Sequence, residues 1–158
     1  MASFHSAFIE KEFEIKILDK KRLDGYDNSN YRISTVENEY IYKTYKHSES
    51  LRDIVLAENE VLLYLQDEFD SHVPKPIPFK DQSYLKTVVT DNQKVLCRML
   101  SFLNGSFFGD VEHSYRLFES LGTFLAKLDL KLKNLNNYTI QARQWGWDIQ
   151  YLDLNKKY

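Results

Sequence analysis

The 158-residue sequence predicts an α+β fold, an antiparallel sheet of about five strands with one long helix, followed by further helices. Three observations predict it. Segments in which apolar and polar residues alternate, the mark of half-buried strands, fall in two groups, one before residue 46 and one after residue 83. Between them, residues 50–67 repeat their apolar positions every 3.6 residues, as an amphipathic helix does. All three prolines lie in Val73-Pro74-Lys75-Pro76-Ile77-Pro78, which forces an extended connector after that helix.

The elements follow in order. Residues 3–12 can form a short helix with Phe4, Phe8 and Ile9 on one side. Phe13 to Leu18 alternates and reads as a strand. Gly25, the only glycine before Gly105, marks a turn where the backbone needs freedom. Tyr31–Val36 and Glu39–Tyr45 read as a hairpin turning at Val36-Glu37-Asn38-Glu39. Leu51, Val55, Leu62 and Leu65 form the stripe of the 50–67 helix, with Ser48 or Ser50 as its cap. Tyr84–Thr90 and Lys94–Phe102 read as two strands joined at Asp91-Asn92. A second long helix is expected from Val111 to Leu132, where Gly122 implies close packing. Residues 140–153 suggest one more helix carrying Trp145 and Trp147, both read as core anchors.

Composition narrows the function classes. Hydrophobic content of 43%, with eleven Tyr and ten Phe, supplies a packed core and argues against disorder. The net charge of −2 comes from interspersed charges without a basic patch, so no nucleic-acid partner is expected. Cys97 is the only cysteine, which excludes an internal disulfide and a multi-cysteine metal site and fits a reducing, cytoplasmic setting. No signal-peptide pattern opens the chain, and no apolar run approaches the roughly 20 residues of a membrane span, so no membrane partner is expected. His5, His47, His72 and His113 show no metal-ligand spacing.

Two residues stand out chemically. Lys43 shares a strand face with Ile41 and Tyr45, and an ammonium there needs a counter-charge or an anionic ligand. Taken alone, it also reads as an edge lysine whose stem covers apolar surface. Glu58 falls inside the apolar stripe of the 50–67 helix, whereas Glu60, about 200° further round, faces solvent. A carboxylate on a buried stripe wants a cation, and Lys43 on the preceding strand is the candidate. Such a pair is either purely structural or the device that aims a lysine at phosphate oxygens. The turn Asp27-Asn28-Ser29-Asn30 offers backbone N–H groups and small polar side chains to a phosphate, though alone it is an ordinary hairpin turn.

Together these segments resemble the N-terminal part of the aminoglycoside phosphotransferase family, which has a protein-kinase-like fold; within it they are most similar to the hydroxylysine kinase-like branch. The resemblance runs through Leu23-Asp24-Gly25-Tyr26-Asp27-Asn28-Ser29-Asn30-Tyr31-Arg32-Ile33, Tyr42-Lys43, Glu58 to Leu65 and Val73-Pro74-Lys75-Pro76. It continues through Arg98-Met99-Leu100-Ser101-Phe102-Leu103-Asn104-Gly105, Leu121-Gly122 to Leu128-Asp129, and Trp147-Asp148. It implies that Asn28, Ser29 and Asn30 lie over nucleotide phosphates and that Lys43, held by Glu58, contacts the α- and β-phosphates. Ser101, Phe102 and Leu103 would form a hinge whose backbone binds adenine. Asn104 stands where the family commonly has proline.

The resemblance divides the chain into a nucleotide-binding lobe, residues 1–103, and the hinge exit with the first helices of a substrate lobe, residues 104–158. The family's catalytic His-Gly-Asp loop and metal-binding Asp have no convincing match, since no His-Gly precedes Asp153-Leu154-Asn155. The expected parent is a small-molecule kinase using ATP (or GTP) with Mg²⁺ on a hydroxyl of an amino-bearing metabolite or aminoglycoside-like compound. The chain alone is expected to be inactive, with self-association through Leu117, Phe118, Leu121 and Phe124. A non-catalytic interaction domain of a larger, aminotransferase-fused protein is the alternative.

Overall fold

The computed structural model describes residues 6–25, 28–90, 92–145 and 148–155. Tyr26, Asp27, Asp91 and Trp147, which figure in the sequence reading, lie outside the described residues, as do residues 1–5.

A short helix α1 (Ser6–Phe13) leads into β1 (Asp19–Leu23), β2 (Ser29–Ser34) and β3 (Glu39–Lys46). Helix α2 (Glu49–Phe69) follows, opened by Ser48, whose side chain accepts from the Leu51 N–H. Then come β4 (Pro76–Ile77), β5 (Lys86–Thr90) and β6 (Gln93–Ser101). The chain continues as a short 3₁₀ turn (Phe108–Asp110), α3 (Tyr115–Leu132), the single turn α4 (Tyr138–Gln141) and a kinked 3₁₀ segment (Ile149–Asn155).

The sheet has six antiparallel strands in the order β1-β2-β3-β6-β4, with β5 also paired to β6. The sixth strand is the two-residue β4, which the proline connector lays against Met99 and Leu100. Proline tolerates such an edge position because no ladder donor is asked of it. β5 pairs the other half of the same β6 edge, Thr90 opposite Gln93, and Asn92 between them takes a left-handed φ of 59°.

Alternation gives this sheet two unlike faces. On one, Ile33, Tyr42, Cys97 and Met99 pack with Ile9 of α1 and with Phe79 into the main core. Burial pushes the Cys97 thiol up to about 11 and the Tyr42 hydroxyl further still, so both stay neutral core groups. Lys86 clamps α1 to β5 through ion pairs with Glu12 and, at 3.0 Å, with Asp81. The other face carries Asn30, Lys43 and Arg98, one beside the next across three strands, and it meets α2 through Tyr45, Leu96 and Val55.

Three expectations change, the first being the helix read over residues 140–153, where the structure has α4 and the 3₁₀ segment instead. Phe13–Leu18 is not a strand: Glu14, at φ 54°, interrupts the extended run as α1 ends, and Phe13, Ile15 and Ile17 pack on the core from a connecting segment. The actual strand is Asp19-Lys20-Lys21-Arg22-Leu23, charged because it is the outer edge of the sheet. Gly122 is not a close-packing site, since no heavy atom lies within 4 Å of where its Cβ would be.

Helix α3, capped by Ser114, packs Phe124, Leu128 and Leu132 against the Leu65, Phe69 and Val73 cluster. Phe124, half-buried, meets Phe69 edge-on at 5.7 Å. Phe118, Leu121 and Leu125 remain exposed along the neighbouring stripe.

Candidate anion site on the sheet face

Arg98 is the centre of the site. It sits in Val95-Leu96-Cys97-Arg98-Met99-Leu100, a fully buried stretch of β6, and is itself 4% exposed. A buried guanidinium is tolerable only when its donors are satisfied. Its Nε donates to the Tyr45 hydroxyl at 3.0 Å, Nη1 to Asn59 Oδ1 at 2.8 Å and Nη2 to Glu58 Oε2 at 2.7 Å. Asn59, also buried, donates in turn to the Tyr84 carbonyl at 3.0 Å, which ties α2 to the approach to β5.

Glu58 therefore faces the sheet, as its place in the α2 stripe requires, but its partners are arginines. The second carboxylate oxygen accepts from Arg143 Nη1 at 3.0 Å, and the Arg143 guanidinium lies over the Trp145 ring at 3.9 Å. The Lys43 ammonium makes no hydrogen bond or ion pair among the described residues and faces the Tyr45 ring at 5.9 Å. It stands directly opposite Arg98 in the ladder. Burial and the Arg98 charge hold its ammonium below the usual lysine value, with the Glu58 charge opposing them. The sequence reading paired Glu58 with Lys43; in the structure they share a cavity and interact at a distance, while the direct bonds go to Arg98 and Arg143.

That cavity, about 350 Å³, is lined by Asn28, Lys43, Tyr45, Leu51, Val55, Glu58, Arg98, Arg143 and Trp145. Among the described lining residues, three are cations and one is a carboxylate. The surplus of positive charge in a partly desolvated place selects anions.

The turn beside it explains Gly25. A Cβ there would lie 2.5 Å from Asn30 Nδ2 and 2.6 Å from the Asn28 backbone carbonyl oxygen, so only glycine lets the chain pass this close to the Asn30 amide and the Asn28 backbone. The Oδ1 atoms of Asn28, which lines the cavity, and of Asn30, which stands beside Lys43 in the ladder, are buried without a hydrogen-bond partner, leaving both amides with bonding capacity unspent. Asn30 shares the site face with Lys43, whereas Ser29 shares the core-side face of Tyr31 and can offer the site only its backbone.

The residues read as a hinge close the other end of β6. The Ser101 N–H donates to the Lys75 carbonyl at 2.8 Å and the Phe102 N–H to the Glu39 carbonyl at 3.0 Å. Both donors are thus spent within the fold. Leu103, partly exposed, is the hinge residue whose backbone groups make no hydrogen bond among the described residues. Arg32, forked onto Glu39 at 2.9 and 2.6 Å, covers the Phe102 ring at 4.2 Å.

Arg98, Asn59 and Arg143 are missing from the sequence reading as site residues. A signal existed for Arg98, an arginine inside a six-residue buried strand segment. For Asn59 and Arg143 there was none, because only the packing of distant segments brings Asn59 to Arg98 and Arg143 to Glu58. Trp145, read as a core anchor, is 38% exposed and belongs to the cavity wall.

An antiparallel sheet backed by one long helix, with a lysine and a helix carboxylate converging on one face, defines a kinase-like N-terminal lobe continued by the first helices of a second lobe. The family follows from the sequence match: a model of the phosphotransferase enzyme family covers residues 20–153, and the chain belongs to that family. No curated protein matches the sequence. Among solved structures, an amicoumacin kinase in complex with AMP-PNP, Ca²⁺ and Ami is similar at TM-score 0.73 and 17% identity, over 94% of this chain and 45% of that one. A microcompartment-associated aminopropanol kinase gives TM-score 0.61 at 17% identity, over 84% and 41%. A spectinomycin phosphotransferase, solved with ADP and spectinomycin, gives 0.60 at 12%, over 96% and 44%. The chain thus spans less than half the length of each.

Proposed function

We propose that this chain is the ATP-binding (or GTP-binding) part of a small-molecule kinase that phosphorylates a hydroxyl of an amino-bearing metabolite or aminoglycoside-like compound. The observation that carries the reading is the cavity in which Lys43, Arg98 and Arg143 outnumber Glu58, beside a turn that only Gly25 permits. The solved structures captured with AMP-PNP or ADP, and an aminopropanol kinase whose substrate by name bears an amine and a hydroxyl, support it.

In this reading residues 1–103 are the nucleotide lobe and residues 104–158 begin the substrate lobe. Lys43 and the Asn28–Asn30 turn neutralise and orient the phosphates; Leu103 meets the adenine edge with its free backbone groups. Glu58 holds the site through Arg98. Bound nucleotide supplies the γ-phosphoryl group, whose bond to the β-phosphate oxygen breaks as a bond to the acceptor oxygen forms. The acceptor's proton must leave to a base, and no residue of this chain is assigned that role. Among the described residues no cluster of His, Cys, Asp or Glu can hold a metal ion, so none is assigned to Mg²⁺ either. In this proposal the chain alone does not carry out phosphoryl transfer, and a turnover assay of the chain with ATP tests it.

Calorimetric titration with ATP and ADP, with and without Mg²⁺, tests the nucleotide site. Binding in the ~10 μM to 1 mM range that Lys43→Ala loses at least about tenfold is the expected result. A second reading, a non-catalytic interaction domain, is favoured by the exposed Phe118, Leu121 and Leu125 stripe. It requires that the longer protein also fail to bind nucleotide, and nucleotide binding there eliminates it.

A further inference from the structure

Arg143 has no role in the reading above beyond lining the cavity, yet its surroundings are those of a ligand-binding arginine. It lies just past α4, where its N–H donates to the Ile140 carbonyl at 3.2 Å and fixes the local backbone. Its guanidinium is held twice: edge-on by Glu58 Oε1 at 3.0 Å and face-on by the Trp145 ring at 3.9 Å. Of its five N–H groups, one has an acceptor among the described residues. Arg98, by contrast, has committed Nε, Nη1 and Nη2 to Tyr45, Asn59 and Glu58.

The charges divide accordingly. Glu58 divides its two oxygens, Oε2 to Arg98 and Oε1 to Arg143, so one carboxylate serves two guanidinium groups. Lys43 and Arg143 border the same cavity from two different segments, β3 and the chain after α4; Arg143 shares the Glu58 carboxylate with Arg98, and the Lys43 ammonium has no carboxylate within ion-pair distance among the described residues. A planar arginine stacked on an aromatic ring keeps its remaining donors at a fixed angle, the arrangement that suits two oxygens of one phosphate.

We propose that Arg143 is a phosphate-contacting residue, which with Lys43 forms a two-cation clamp for a di- or triphosphate and disfavours monophosphates. This rests on the nucleotide reading only for the adenine; the clamp itself needs no more than linked phosphates. The bland role is a strut that fastens the α4 segment to Glu58. The two differ in what they do to ligands: a strut affects stability, a clamp affects anion affinity and its dependence on phosphate number.

The test titrates the protein with pyrophosphate, ATP and AMP without divalent cation, by calorimetry and by tryptophan fluorescence with Trp145→Phe as the control that identifies the signal. The clamp expects Arg143→Gln to weaken pyrophosphate and ATP at least about tenfold, to flatten the preference for ATP over AMP and to reduce the salt dependence of binding. Arg143→Lys, which retains the charge and the Glu58 pair, should fold as the parent does and still lose about threefold, because the fork is gone. That variant decides the matter should the glutamine variant unfold. Unchanged pyrophosphate and ATP affinity in Arg143→Lys and Arg143→Gln overturns the clamp while leaving the nucleotide reading intact. Pyrophosphate binding that needs Arg143, without ATP binding, upholds the clamp and sinks the nucleotide reading. Binding of neither overturns both.

Discussion

The two faces of the sheet are made from the same strands and solve opposite problems. On one, Tyr42 and Met99 are opposite each other and dry, packed with Ile33, Cys97 and Phe79. One residue along each strand, Lys43 and Arg98 are opposite each other and charged. The first face draws its stability from apolar burial. The second spends stability to hold cations, and the Glu58 carboxylate keeps Arg98 tolerable while the described cavity lining stays net positive. A strand period of two separates core from chemistry by one peptide unit, so ligand-binding groups can be seated on a rigid element without opening the core.

Substitutions can break or sharpen that contrast. The largest effect is expected from Glu58→Ala, which leaves the buried Arg98 without its charge partner and should cost about 3 kcal/mol in urea unfolding. Met99→Ala on the dry face should cost about 2–3 kcal/mol by cavity formation. Only the first should change how binding of pyrophosphate depends on salt; equal salt slopes for both would mean that the two faces are not functionally distinct.

Smaller effects follow. Gly122→Ala should raise stability by about 1 kcal/mol in thermal unfolding, since the helix gains propensity and the Cβ meets nothing within 4 Å. A loss instead would show that another surface packs there in solution.

Lys43→Met should stabilise the fold at pH 7, by ~1 kcal/mol or less at a partly solvated position, while abolishing phosphate affinity. Its pH dependence has a definite sign. Burial first, then Arg98, lowers the Lys43 pKa in the folded state from 10.5, so the unfolded chain binds the extra proton between that lowered value and 10.5. The parent protein's stability therefore rises across that window, and the advantage of Lys43→Met shrinks as pH approaches 10.5. An advantage constant with pH would remove charge burial as its cause.

Much of the fold was legible because local rules agreed with the tertiary result. The α2 stripe, its Ser48 cap and the Glu39–Lys46 strand are short-range patterns, and the structure places them within a residue or two of expectation. The edge strand β1 was not, since its charged sequence carries no alternation and its existence depends on pairing with Ser29–Ser34. Conversely, Phe13–Leu18 alternates because it covers a core, and alternation alone does not distinguish a strand from a segment that packs.

For the site the division is similar. The chain by itself determined that Gly25 stands at a turn, that Lys43 lies on an apolar-flanked strand face and that Glu58 points inward from α2. Each follows from spacing along one element. Only the tertiary structure decided who pairs with whom. Arg98 comes from a strand that neighbours β3 by topology rather than by sequence, and Arg143 returns from beyond α4, so both reach Glu58 at hydrogen-bond distance and displace Lys43 from it. An ion pair is settled by which charges packing brings within about 4 Å. Residues 40 and 85 positions away from Glu58 leave no periodic trace of that in the sequence.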